Sequence, residues 1–221
     1  MLKRLFQDLL YRLVHPFMGL LLRSNIHPNA LTILGLLCNV WALWVWASAA
    51  DGSWSSAYHG LWQGAVWVLA GGLFDILDGR LARLSGQESS AGALFDSVLD
   101  RYAEILMFAG LGWLAWHLDR PGAVLASYAA ATMSLMVSYA RARLEGLGAN
   151  GTVGLFQRPE RIILVSLGAI VCAIAGNGHW WASPEMAWTF IMEPILWLTA
   201  IGAGFTSLQR LVEGYRILQR R

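Results

Sequence analysis

Residues 28–50 read PNALTILGLLCNVWALWVWASAA, without one charged side chain. As a helix rising 1.5 Å per residue, that stretch spans about 35 Å, enough to cross the roughly 30 Å hydrocarbon core of a bilayer. Its choice of conformation is narrow, because in hydrocarbon every backbone N–H and C=O must be paired inside the protein, and a helix does this without a neighbour. Further apolar stretches cover about 61–84, 91–118, 121–145, 159–175 and 188–210, the last able to continue into water as LQRLVEGYRILQRR. The reading is an all-α integral membrane protein with six transmembrane helices. Composition agrees: 57% of residues are hydrophobic and only 14% charged, against about 25% charged in a soluble domain.

Residues 1–24 have a different pattern. Leu2, Leu5, Phe6, Leu9, Leu10, Leu13 and Phe17 recur at helical spacing, with Lys3, Arg4, Asp8 and Arg12 between them. This suits an amphipathic helix lying in the membrane interface, its cationic side toward the headgroups, or one packed on the protein's own body. Residues 25–221 then form a single six-helix transmembrane domain, with no repeat and no linker to divide it. No cleavable signal is expected, since charge and apolar residues alternate at the start. Cys38 and Cys172 sit inside apolar runs and read as small buried hydrophobes. The loops DGSWSSAYHG and GNGHWWASPEMA contain no Lys or Arg, and LDRP has only Arg120. Basic residues gather at the opposite helix ends, which places both termini and that face of the protein on the cytoplasmic side of the cell (inner) membrane.

The feature that does not fit a purely hydrophobic bundle is LFDILDGRLARLSGQESSAGALFDSVLDRYAE, residues 73–104. Asp75, Asp78, Gly79, Ala82 and Arg83 share one face of a helix. Asp96 and Asp100, four apart, share a face of the next. The short turn-forming SGQESSAG between them predicts two antiparallel helices whose carboxylate pairs meet at the cytoplasmic end. Two like charges about 4 Å apart repel by roughly 4 kcal/mol at an effective dielectric near 20. Either some of the four stay protonated, or two divalent cations fill the gap. All-oxygen ligation favours Mg²⁺ or Mn²⁺, or Ca²⁺, and a two-metal site is a clamp for displacement at phosphorus. Gly79, beside Asp78, clears space for a ligand; Arg83 holds a phosphate or pairs with an aspartate.

The spacing Asp75-x2-Asp78-Gly79-x2-Ala82-Arg83-x8-Gly92-x3-Asp96-x3-Asp100 resembles, without a departure, the signature of the CDP-alcohol phosphotransferase family. HPNALTILG is similar to the opening of that family's first spanning helix. The resemblance implies that a CDP-linked lipid, usually CDP-diacylglycerol, is attacked by the hydroxyl of a polar alcohol, with release of CMP. By motif position it implies Asp75, Asp78 and Asp96 as principal metal ligands, and Asp100 as the base, also touching the second metal. It implies Asn29, Thr32, Asp78, Gly79, Ala82, Arg83 and Gly92 around the CDP moiety, two divalent cations (Mg²⁺ or Mn²⁺), a homodimer, and no nucleic-acid partner.

Arg141 and Arg143 in SYARARLEG, and Arg158 and Arg161 in QRPERIILV, fall on the same side as the aspartates. They form an acceptor-phosphate site or serve only as positive-inside anchors. SYARAR and RPERIILV resemble the prokaryotic phosphatidylinositol-phosphate synthases, whose phosphorylated polyol acceptor is inositol phosphate. Phosphatidylglycerophosphate synthesis from glycerol 3-phosphate is the rival. An intramembrane prenyltransferase and a cation transporter are more distant alternatives.

Overall fold

The computed structural model describes residues 18, 19, 21–24, 26–149, 154, 156–178, 183 and 185–220. The described residues are helical with short connections, in six long elements: α1 Pro28–Ser48, α2 Trp54–Ser85, α3 Ser90–His117, α4 Pro121–Gly146, α5 Arg158–Asn177 and α6 Glu193–Gln219. A turn of α-helix, Glu185–Ala187, and a π-helical segment, Trp188–Met192, run directly into α6. The interfacial helix expected over residues 1–24 lies largely outside the described residues. Of that segment, Met18 is buried and packs with Leu31, Leu77 and Leu81.

Among the described residues, five helices are long and apolar enough to cross a membrane: α1, α2, α4, α5 and the run Glu185–Gln219. This is a multi-pass membrane protein. Helix α3 is long enough, at 28 residues, but Asp96, Asp100, Arg101 and Glu104 crowd its first half. Helix starts follow local chemistry. Pro28, Pro121 and Pro159 each sit in a first turn, where the missing N–H costs nothing; Pro194 instead follows the π-helical segment directly. The structure corrects the start of the second helix, which begins at Trp54 and not near Leu61. Ser53 caps it by accepting from the Ser56 N–H, and Asp51 accepts from the Ser53 N–H at 2.8 Å and the Ser56 hydroxyl at 2.7 Å. These donors, the Ser53 N–H first, hold the Asp51 carboxyl below its ordinary range.

The helices close a ring in the order α1, α2, α5, α6, α4, α3 and back to α1. The expected hairpin is therefore altered: α2 and α3 follow one another in sequence, yet α1 packs between them. Gly86 ends α2 in the left-handed conformation, φ 67°, and Ser89 caps α3 through the Gly92 N–H. Most of the buried apolar side chains, among them Trp46, Tyr58, Leu111, Trp188 and Met192, fill the half of the ring where α1 ends and α2 begins. The aspartates occupy the other half.

Helices α1 and α2 approach closely because neither has a side chain at the crossing. A Cβ on Gly71 would lie 2.5 Å from the Asn39 amide and 2.9 Å from the Gly35 carbonyl oxygen, which is itself bonded to Asn39 at 2.9 Å. Gly71→Val is expected to lower thermal stability in detergent by about 1–3 kcal/mol through overpacking. Gly72→Ala, where a Cβ meets nothing within 4 Å, is the control and should leave the unfolding temperature unchanged or raise it slightly.

Candidate active site

One carboxylate oxygen from each of Asp75, Asp78 and Asp96 lies within 4.8 Å of the other two. Helix α2 supplies the first pair one turn apart, and α3 supplies the third across the gap that α1 holds open. Thr32 on α1 donates its hydroxyl to Asp78 Oδ2 at 2.6 Å, fixing a side chain only 4% exposed. At this spacing each pair of charges repels by roughly 3–4 kcal/mol at an effective dielectric near 20. Asp96 Oδ1 is buried and has no hydrogen-bond partner among the described residues, a costly arrangement for an anion unless a cation completes it. The donors are all hard oxygens, with no Cys or His, and so fit Mg²⁺ or Mn²⁺.

Asp100 lies one turn beyond Asp96 on α3 and is joined to Asp75 through a shared arginine. Arg158, the first residue of α5, reaches across the ring to Asp100 Oδ2 at 2.7 Å and Asp75 Oδ1 at 3.1 Å. Arg101 Nη2 lies 3.7 Å from the same Asp100 oxygen, and its other nitrogen donates to the Ser138 hydroxyl of α4. Thus α2, α3, α4 and α5 are tied together at one point by charge-assisted bonds. Thr32, Asn39, Asp75, Asp78, Asp100 and Arg158 line a narrow pocket here. Beside it a largely apolar cleft of about 810 Å³, mouth included, runs between α2 and α5. Leu69, Leu73, Ile76, Ile162 and Ile163 form its walls, with Asp75 and Arg158 at its polar end.

The other sequence-predicted residues fall in two groups. Asn29 and Gly92 meet, the asparagine oxygen lying 3.6 Å from where a Gly92 Cβ would be, and Arg83 lies over Gly79 at a similar distance. Thr32 bonds to Asp78, Gly79 follows it in the chain, and Ala82 lies one helical turn beyond. Of the four arginines expected at an acceptor-phosphate site, Arg158 reaches the aspartates. Arg161 is 0% exposed and turned inward, paired with Glu104 and donating to the Phe156 carbonyl. Arg141 is exposed and paired with Glu145 at 2.8 Å; Arg143 is exposed. Sequence reasoning missed Arg101, Glu104 and Arg210. Arg210 on α6 is 4% exposed and donates to the Val137 carbonyl. Its signal was a charged residue late in an apolar run, read there as the end of a helix.

Residues 25–202 match CDP-alcohol phosphatidyltransferase. The chain belongs to that family. The match extends into the last spanning helix, beyond the region where the motifs alone carried the resemblance. Phosphatidylinositol phosphate synthase of Mycobacterium tuberculosis is 34% identical over 90% of this chain and 84% of its own length; that of Mycobacteroides abscessus is 32% identical over 90% and 82%. Among solved structures, the Mycobacterium tuberculosis synthase with CDP-DAG bound superposes with a TM-score of 0.74 at 32% identity, covering 92% of this chain and 94% of that one. The same synthase in complex with manganese and citrate gives 0.73 over 90% and 88%. Membership in a phosphatidyltransferase family sets aside the prenyltransferase and transporter alternatives.

Proposed function

We propose that this family member transfers a phosphatidyl group from CDP-diacylglycerol to inositol phosphate, with CMP as the leaving group. The observation that carries the reading is the convergence of Asp75, Asp78 and Asp96, with Arg158 beside them, at the polar end of an apolar cleft. A substrate that is half hydrocarbon and half diphosphate needs both. The relatives named for phosphatidylinositol phosphate synthesis, one of them with CDP-DAG bound, favour inositol phosphate over glycerol 3-phosphate.

In this reading Asp75, Asp78 and Asp96, with Asp100 at the edge, hold two divalent cations, Mg²⁺ or Mn²⁺. When bound, these ions would neutralise the diphosphate and stabilise departing CMP. The cleft between α2 and α5 takes an acyl chain and sets the depth of the headgroup. Asn29, Thr32, Gly79, Ala82, Arg83 and Gly92 border the cytidine diphosphate, where the missing side chains at Gly79 and Gly92 leave room for it. Asp100 takes the proton of the acceptor hydroxyl as its oxygen bonds to the lipid-side phosphorus and the phosphorus–oxygen bond to CMP breaks. Arg158 holds Asp100 in place and offers its remaining N–H groups to the acceptor's phosphate. Arg141, Arg143 and Arg210 add positive potential behind it, and Arg161 acts from the buried layer beneath.

The same reading has α3 cross the bilayer as a sixth span, its charged face turned into the ring. It places the site and both termini at the cytoplasmic face, residues 1–24 along the interface, residues 25–221 as one catalytic domain, and two chains in a homodimer. The test is an acceptor panel with purified protein in detergent and labelled CDP-diacylglycerol: inositol phosphate, glycerol 3-phosphate, serine and free inositol. CMP release with inositol phosphate as the preferred acceptor is expected. Preference for glycerol 3-phosphate would overturn the acceptor assignment, and no CMP release with any acceptor would overturn the reaction.

A further inference from the structure

The Arg158 contact is one rung of a two-rung ladder. On α3, Asp100 and Glu104 are four residues apart and share a face; on α5, Arg158 and Arg161 are three apart and share another. The first rung joins Arg158 to Asp100 at 2.7 Å. The second joins Arg161 to Glu104, with Nε at 2.8 Å and Nη2 at 2.7 Å from the same carboxylate oxygen. Helices α3 and α5 are not neighbours in the ring. Helix α3 packs on α1 and α4, and α5 on α2 and α6, so these side chains bridge the interior where the helices themselves do not pack. The third nitrogen of Arg161 donates to the Phe156 carbonyl at 2.9 Å, just before α5 begins. Arg161 therefore grips both α3 and the entry to α5.

Stability does not account for the second rung. Arg161 is 0% exposed and Glu104 is 3%, and replacing a buried ion pair of this kind with well-packed apolar side chains is commonly neutral or stabilising. What the pair does supply is geometry. It fixes the height and rotation of the first turn of α5, from which the long Arg158 side chain must reach Asp75 and Asp100. We infer that Glu104 is a positioning residue: through Arg161 it sets the placement of Arg158 over Asp100, and so the recognition of the acceptor's phosphate. This rests on the reading of Arg158 as an acceptor-phosphate ligand.

The test is a double-mutant cycle on the purified enzyme, with KM for inositol phosphate, KM for CDP-diacylglycerol, kcat and unfolding temperature measured for each variant. Arg158→Ala is expected to raise the acceptor KM. Glu104→Gln is expected to raise it about tenfold with the lipid KM little changed, and to add less than about twofold on top of Arg158→Ala, because the two act through one contact. The paired variant Glu104→Leu with Arg161→Leu removes the charges together; it should keep the unfolding temperature of the parent and still raise the acceptor KM, and it carries the test should Glu104→Gln fail to fold. An acceptor KM unchanged in the Glu104 variants, a fully additive cycle, or losses that only track the unfolding temperature would overturn the positioning role and leave the Arg158 reading intact. An unchanged acceptor KM in Arg158→Ala would overturn that reading, and the positioning role with it.

Discussion

Asp100→Asn is expected to lower kcat by about 10²–10⁴-fold, the usual contribution of a positioned general base, while leaving CDP-diacylglycerol bound with near-parental affinity. The substitution keeps the shape of the side chain and removes its capacity to accept a proton. Asp100 is suited to the role by its place at the end of the carboxylate group nearest Arg158. Asp75, Asp78 and Asp96 form one tight group, while Asp100 sits one turn further along α3, gripped by Arg158 at 2.7 Å and approached by Arg101 at 3.7 Å. It faces the residue to which the acceptor's phosphate is assigned, as the base for that acceptor must. Turnover and CDP-lipid binding measured on one preparation check this. A kcat within about threefold of the parent would remove Asp100 from proton transfer.

Asp78→Ala is expected to cost more, abolishing both divalent-ion binding and turnover. Asp78 is the most buried of the four aspartates, 4% exposed, and its orientation is set by the Thr32 hydroxyl at 2.6 Å. Removing it takes one of three converging oxygens away and leaves the Thr32 hydroxyl without its carboxylate partner. Thr32→Val, which keeps the carboxylate but frees its orientation, should weaken metal affinity by about 10–100-fold, the range found for outer-shell partners of metal ligands. Metal titration by calorimetry ranks the two. Parental metal affinity in Asp78→Ala would show that the carboxylate group is structural.

The spans were legible because hydrocarbon leaves a chain so few options: an uncharged run such as residues 28–50 can only be a helix. The aspartate site was legible for a related reason, since carboxylates next to apolar runs are too costly to be incidental. The arrangement of helices in the ring was not. Which pairs pack is decided by small residues at crossings, Gly35 against Gly71 for instance, and small residues are scattered along every span. Hence α1 between α2 and α3 came only from the structure. The early start of α2 was hidden because SSAYHG is polar enough to read as a loop until Ser53 is seen capping it.

The pairing of Arg161 was also hidden. Its position beside Arg158 suggested a shared phosphate site, whereas the i,i+3 step turns it toward Glu104, 57 residues away in sequence. A sequence shows that an arginine is near the site but not which of two anions, protein or substrate, it faces. Arg101 and Arg210 escaped notice likewise: one adjoins an aspartate that drew the attention, and the other sits where an apolar run thins out.

The central claim is that the three converging aspartates hold divalent cations that engage a lipid-linked diphosphate. Electron paramagnetic resonance of Mn²⁺ added to the detergent-purified protein, with and without CDP-diacylglycerol, tests it most directly. The expected result is saturable Mn²⁺ binding that tightens when the CDP-lipid is present and disappears in Asp78→Ala. Mn²⁺ that remains free in the parent protein, or that binds equally with and without the CDP-lipid, would contradict it.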